Sequence, residues 1–163
     1  MAESVHLFMK ANGEDVKGES TMTSLGRGDS IECVSFGMGA HTTREAGSGR
    51  AVARRQYEPV VVRKRIDKAS PLLAKALCNN EVIEGVFKFY RPNPLGDGTT
   101  EQFYTVEIKN ARVSDIRIFN PDTIEPGSSS MPGMEEVSFH FGRIIWTITD
   151  GGISHEDSWD ENR

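Results

Sequence analysis

Long apolar runs are missing from this sequence of 163 residues. No stretch approaches the roughly 18 apolar residues that a spanning helix needs, so no membrane insertion is expected. Cysteine is almost absent. Cys33 and Cys78 are the only two, far apart and without a CxxC pair or zinc spacing, and they read as two buried thiols of a reduced compartment. The four histidines, His6, His41, His140 and His155, have no ligand-type neighbour at helix or strand spacing, so no metal is expected. There is no GxxxxGK[ST] loop to cradle phosphates and no Gly-x-Ser-x-Gly elbow to present a nucleophile. The run Gly37-Met38-Gly39-Ala40-His41-Thr42 lacks the last glycine of a dinucleotide fingerprint and leads toward another strand. No cofactor and no catalytic group is therefore expected. Excess positive charge is lacking too. A net charge of −5 argues against general nucleic-acid binding. The start, Met1 to His6, carries no basic segment and no apolar core, which reads as no secretory signal.

What is present is a chain that suits one domain and can bury a core without staples. It is organised around an apolar run, Ile31 to Met38, a Gly-rich connection from His41 to Val52, and a second apolar run, Tyr57 to Ile66, carrying Val60, Val61 and Val62. Two β-branched segments joined by flexible basic chain read as strands with a long connection. Upstream, Ser4 to Lys10 alternates, with Val5, Leu7 and Met9 on one side. Asn12-Gly13 is a hairpin turn, Asp15 to Ser20 a second strand, and Thr21 to Asp29 a long polar loop, either disordered or docked. Ile31 to Met38 is apolar on both faces and reads as a central strand, with Val34, Phe36 and Met38 on one side and Ile31 and Cys33 on the other. The basic cluster Arg63-Lys64-Arg65 splits between two faces of its strand and reads as a solvated wall.

Ser70 and Pro71 open the one helix, with Ser70 as cap and Leu72, Leu73, Ala76 and Leu77 as its apolar face. Strands follow at Val82 to Tyr90 and Phe103 to Lys109. The parity then slips: Ala111 and Val113 are odd, Ile116 and Ile118 even, which demands a bulge. Pro121 to Gly133 is a loop. Glu135 to Thr149 is a last long strand whose parity changes at Gly142. About eight strands and one short helix make an all-β, mainly antiparallel fold, either a closed or nearly closed barrel or a tight two-sheet sandwich. Strands that bend favour closure, so residues 1–149 read as a single β-barrel domain. Residues 150–163 read as an acidic tail with a lone Trp159.

Charge is unevenly placed. His41 to Lys75 holds nine bases and three acids, while Asp150 to Arg163 holds five acids and one base. Opposite charge at separate places on a small domain suits head-to-tail contact between copies, and is equally compatible with an arrangement inside one copy.

Three motifs occur in a familiar order: Val16-Lys17-Gly18-Glu19-Ser20, then Ser35-Phe36-Gly37-Met38-Gly39, then Asp67-Lys68-Ala69-Ser70-Pro71-Leu72-Leu73 leading into a short helix. From Val5 to Thr149 the chain resembles the haemolysin-coregulated protein family, the tube subunits of the bacterial type VI secretion system. The resemblance implies a β-barrel of two sheets with one short flanking α-helix that assembles as a homohexameric ring. Rings stack into a tube inside a contractile sheath, carry a spike protein, and hold secreted effectors in the lumen. It implies no enzymatic activity. The protein would reside in the bacterial cytoplasm before firing and be delivered outside or into a target cell afterwards. Contacts between subunits or rings are expected at Glu19, Ser20, Gly26, Arg27, Asp29, His41, Arg54 and Arg55. The alternatives are a tail tube protein of a contractile phage, a small-ligand barrel with an apolar cavity, and a hydrolase with a scattered triad.

Overall fold

The chain first reverses at Asn12 and Gly13, both at positive φ (50° and 83°), as a tight hairpin turn requires. The computed structural model describes residues 3–159. Its strands in chain order are β1 (Ser4–Ala11), β2 (Glu14–Val16), β3 (Ile31–Gly37), β4 (Ala40–His41), β5 (Gln56–Tyr57), β6 (Val60–Arg65), β7 (Ile83–Pro92), β8 (Thr100–Phe119), β9 (Met134–His140), β10 (Arg143–Ile148) and β11 (Ile153–Ser158), with one helix, α1 (Ser70–Cys78). All strand pairings are antiparallel.

Neighbouring strands run β8-β7-β1-β3-β6-β9 and return to β8, so the sheet closes on itself. Closure depends on the length of β8. Its first part pairs with β7 on one side and β10 on the other. Its last part pairs with β9. The expected parity slips are the bends that allow this. Register shifts between Val113 and Asp115, and Asn110 takes φ 49°. Glu135 to Thr149 is not one strand. It breaks at Phe141 and Gly142, where the Gly142 N–H donates to the carbonyls of Lys109 and Asn110, both at 3.2 Å.

β3 is central, between β1 and β6. Its faces differ from the simple alternation. A bulge between Cys33 and Ser35 turns Val34 out to 49% exposure. Phe36 and Met38 then pack on the core beside Ile31 and Cys33. The interior of the closed sheet is filled by Leu7, Ile31, Phe87, Phe139 and Ile144, all at most 1% exposed. A small-ligand barrel with an apolar interior cavity is thereby replaced by a packed core.

Helix α1 lies against β8. Its buried stripe is Leu73 and Ala76; Leu72 and Leu77 stay more than a third exposed. Ser70 is the first helical residue rather than the cap, and its Oγ accepts from the Asp67 N–H at 3.0 Å. Cys78, at the helix end, is exposed and free, so only Cys33 is the buried thiol expected of both.

Two other expectations are overturned. Lys64 is not part of a solvated wall. It shares the inward side of β6 with Val60 and Val62, is 1% exposed, and sits directly opposite Glu135 on β9. Its Nζ donates to Glu135 Oε1 and Asp67 Oδ1, both at 2.9 Å. Residues 150–163 are not simply a tail. Ile153 to Ser158 pairs with all of β10, from Ile148 opposite Ile153 to Arg143 opposite Ser158. β10 had one edge free after pairing with β8, and β11 covers it. The last residues, 160–163, lie outside the described part.

Candidate assembly surfaces

Two of the excursions from the closed sheet carry the expected contact residues, and they are built differently. The first is the loop between β2 and β3. Gly18 starts it because backbone passes too close for a side chain: a Cβ there would lie 2.6 Å from the Ser30 carbonyl oxygen. The Gly18 N–H donates to the Asp29 carbonyl at 2.9 Å, closing the loop at its neck. Gly26 turns at φ 74° and Asp29 at 62°.

The loop is docked. His6, fully buried on β1, places Nδ1 2.9 Å from Ser30 Oγ and 3.3 Å from Ser20 Oγ. The Ser30 hydroxyl donates to the Arg27 carbonyl at 2.7 Å, so it accepts from His6, which fixes the proton on Nδ1. His6 Nε2 then has no partner. Burial pushes the His6 pKa below its ordinary value, Glu32 opposes this, and Arg27 adds to it. Arg27 is itself buried, its Nε donating to the Ser24 carbonyl at 2.9 Å and its guanidinium 4.7 Å from the centre of the Tyr90 ring. Expected to touch a neighbouring copy, Arg27 instead holds its own loop down. Ser20 is half-buried in the same network, while Glu19, Gly26 and Asp29 are exposed. Glu19 Oε2 accepts from the Lys68 N–H at 2.7 Å. Asp29 lies 4.0 Å from Lys68 Nζ.

The second excursion is the Gly- and Arg-rich connection, which forms a hairpin arm. Glu58 N–H donates to the Gly39 carbonyl at 2.8 Å, β4 pairs with β5, Val52 N–H donates to the Thr43 carbonyl at 2.9 Å, and Arg44 bridges to Ala51. Every residue from Ala40 to Arg54 is exposed, including His41, Arg44, Arg50 and Arg54. The apolar side chain of Val52 is 61% exposed.

Arg55 stands apart from this set. Expected to face another copy, it pairs with Asp157 of its own chain, its Nη2 donating to Oδ1 at 2.6 Å and its Nε to Oδ2. The Tyr57 hydroxyl also donates to Asp157. These bonds, first that of Arg55, hold the Asp157 carboxyl below the usual carboxylate range, and burial pushes the Tyr57 phenol up. The contact between basic stretch and acidic end is thus made, at this point, inside one molecule.

Outside the loop neck lies an open surface groove of about 330 Å³, floored by Phe8, Gly85 and Val86 and rimmed by Asp15, Asp29 and Glu84. Among the described residues no group of three or more His, Cys, Asp or Glu side chains could hold a metal ion. The Cys33 thiol is pushed up to about 12 by burial, which keeps it protonated and unreactive. Sequence reasoning missed Tyr57 and Asp157. Their separation by 100 residues left no local signal. It also missed Lys64 and Glu135, for which a signal exists: each shares the parity of inward apolar neighbours on its own strand.

The sequence model of the family described as "Type VI secretion system effector, Hcp" matches residues 8–148. A protein of Pseudomonas aeruginosa named "Major exported protein" is 33% identical over 135 residues, covering 82% of this chain and 77% of that one. A mutant form of Hcp1 from E. coli EAEC 042 pathovar superposes with a TM-score of 0.82 at 26% identity, covering 97% of this chain and 99% of that chain. The secreted protein Hcp3 from Pseudomonas aeruginosa gives a TM-score of 0.72 at 23% identity over 97% of this chain and 99% of its own, a likeness of fold.

Proposed function

Because this chain belongs to the type VI secretion system Hcp family, we propose that it is a structural subunit of the secretion tube. Copies close into a hexameric ring, rings stack, and the stack is expelled with a spike at its tip by a contracting sheath. Effectors ride in the lumen. The name of the Pseudomonas aeruginosa relative supports export, and the subunit waits in the bacterial cytoplasm until firing.

The observation that carries this reading is the arm. A rigid closed sheet projects a hairpin whose residues from Ala40 to Arg54 are all exposed. A hairpin of two strands is marginal in water on its own, so it needs a surface to lie on. A heterologous contact of this kind, an arm of one copy on the body of the next, generates rings when the rotation closes. His41, Arg44, Arg50 and Arg54 are the proposed contact residues of the arm, with Glu19, Gly26 and Asp29 on the receiving body. Arg27, Ser20 and Arg55 support these surfaces from inside.

No turnover is proposed. The Ser–His contacts described at His6 are buried, and the Ser30 hydroxyl donates to a backbone carbonyl instead of the imidazole. Native mass spectrometry and electron microscopy of the purified protein test the reading. The expected result is a ring with a central hole. A stable monomer at micromolar concentration overturns it.

A further inference from the structure

The arm is a two-stranded sheet of its own, separate from the closed sheet. Its backbone hydrogen bonds, from Gly39–Glu58 outward, run between its own two strands. Such bonds hold the hairpin together without saying which way it points. Direction must come from side chains at the root, and there hydrogen bonds and ring contacts join the arm to β11 and its surroundings. Asp157 on β11 accepts from Arg55 through both oxygens and from the Tyr57 hydroxyl. Arg55 Nη2 also donates to the Ser158 carbonyl at 3.2 Å. The Tyr57 ring meets Phe141 edge-on at 5.3 Å and Trp159 at 5.7 Å, and lies 6.2 Å from Trp146. The indole of Trp146 is backed by His155, stacked at 5.7 Å. The Trp159 N–H donates to the Gly142 carbonyl at 2.7 Å, tying the end of β11 to the break between β9 and β10.

We infer that Asp157 is a positioning residue for assembly: clasped by Arg55 and Tyr57, it sets the direction in which the arm leaves the body. A guanidinium bound through two nitrogens is fixed in plane as well as in distance, which a single lysine contact would not achieve. The clasp is 14% exposed at Asp157 and 30% at Arg55, so the carboxylate is partly shielded while the guanidinium stays open to water on one side. An aspartate is ionised throughout the neutral pH region in any case, and Arg55 lowers the Asp157 pKa further. Leverage makes the root decisive. A hairpin with about six residues per side reaches roughly 20 Å, so a tilt of about 10° at the root moves the tip by about 3.5 Å. That displacement exceeds what a specific contact tolerates. β11 therefore has a second task besides covering the edge of β10: it aims the arm. The direction of the arm is a property of one chain. Its consequence for ring formation rests on the function proposed above.

The test uses the full chain with a spin label at the tip, introduced as Ser48→Cys, and a second on the native exposed Cys78, diluted with unlabelled protein. Electron–electron resonance gives the tip-to-body distance distribution, and native mass spectrometry gives the ring fraction. Asp157→Asn keeps the shape of the side chain and removes its charge. It is expected to broaden the distribution about twofold, through loss of the fork, and to lower the ring fraction about tenfold, through loss of preorganisation. Tyr57→Phe keeps the ring and removes one bond, and should broaden the distribution less. Asp150→Asn, outside the clasp, should change neither. An unchanged distribution in Asp157→Asn overturns the inference. Should that variant not fold, an unchanged distribution in Tyr57→Phe overturns it instead. Broadening in Asp157→Asn with the ring fraction intact overturns the role in assembly. Broadening in a protein whose parent forms no rings would support the clasp and sink the ring, so the two failures are distinct.

Discussion

Val60 and Val62 are fully enclosed in the closed sheet, whereas a few residues earlier, from Ala40 to Arg54, the chain is exposed along its whole length. Both segments are antiparallel β-structure with the same kind of backbone bond. They differ in what holds them. In the body, every strand of the closed circuit β8-β7-β1-β3-β6-β9 has at least two neighbours and one face in the core, so position is overdetermined by packing. In the arm, each strand has one neighbour, and beyond the root at Arg55 and Tyr57 neither face is covered. The body is held by its own packing, whereas the arm is held from its root, and in the proposed function a neighbouring copy completes it. On the proposed function, stability and assembly are then located in different residues.

The largest separation between the two should come from the buried ion pair. Lys64→Ala leaves Glu135, 1% exposed, charged and without its main partner, and should lower unfolding free energy by about 3–5 kcal/mol in urea melts. Lys64→Met with Glu135→Leu should recover most of that loss. If the single substitution were tolerated as well as the double, the body would be less dependent on its core than described here. Gly18→Ala comes next. Its Cβ would overlap backbone at Ser30 and Ile31, at 2.6 and 2.7 Å, and a cost of about 1–3 kcal/mol is expected in the same melts.

A pH series sharpens the comparison further. The folded-state pKa of His6 lies below its unfolded value, so the folded protein binds fewer protons. Stability is then full above about pH 6.5, falls as pH drops below it, and levels off once the folded-state pKa is passed. A proton added at Nε2 would meet no acceptor. Urea midpoints should decline from pH 7.5 toward pH 5 in the parent and less steeply in His6→Gln; parallel curves would contradict the assignment. The smallest effect on stability belongs to the arm. Replacing Arg44, Arg50 and Arg54 together by Gln should shift unfolding by less than about 0.5 kcal/mol, yet abolish rings in native mass spectra. A large loss of stability there would mean that the arm is part of the body after all.

Much of the body was legible because its signals are local. Asn12-Gly13 announces positive φ, Pro71 announces a helix start, and the slips from Ile108 to Val113 to Ile116 announce bends, since each rests on neighbouring residues. β11 was not legible. Ile153 to Ser158 is mostly exposed, so it lacks the apolar row by which a strand is recognised, and it is a strand only because β10 offers a free edge. The arm was invisible for the same reason. Lys64 was misread although its parity was available, because a charged residue beside two arginines suggests solvent until Glu135 is known to stand opposite. Of the expected contact residues, His41 and Arg54 lie on the exposed arm, whereas Arg27 and Arg55 have partners inside the chain.

By itself, the order of residues determined the kind of elements, the turns between them and the points where strands must bend, because these follow from side-chain alternation and backbone preference over a few residues. Only the folded molecule decided which distant groups meet: Lys64 with Glu135, and Arg55 and Tyr57 with Asp157. Those pairings depend on how a sheet closes and on which edge remains for the final strand, and the free energy of closure is shared among contacts too far apart in the chain for any local pattern to record.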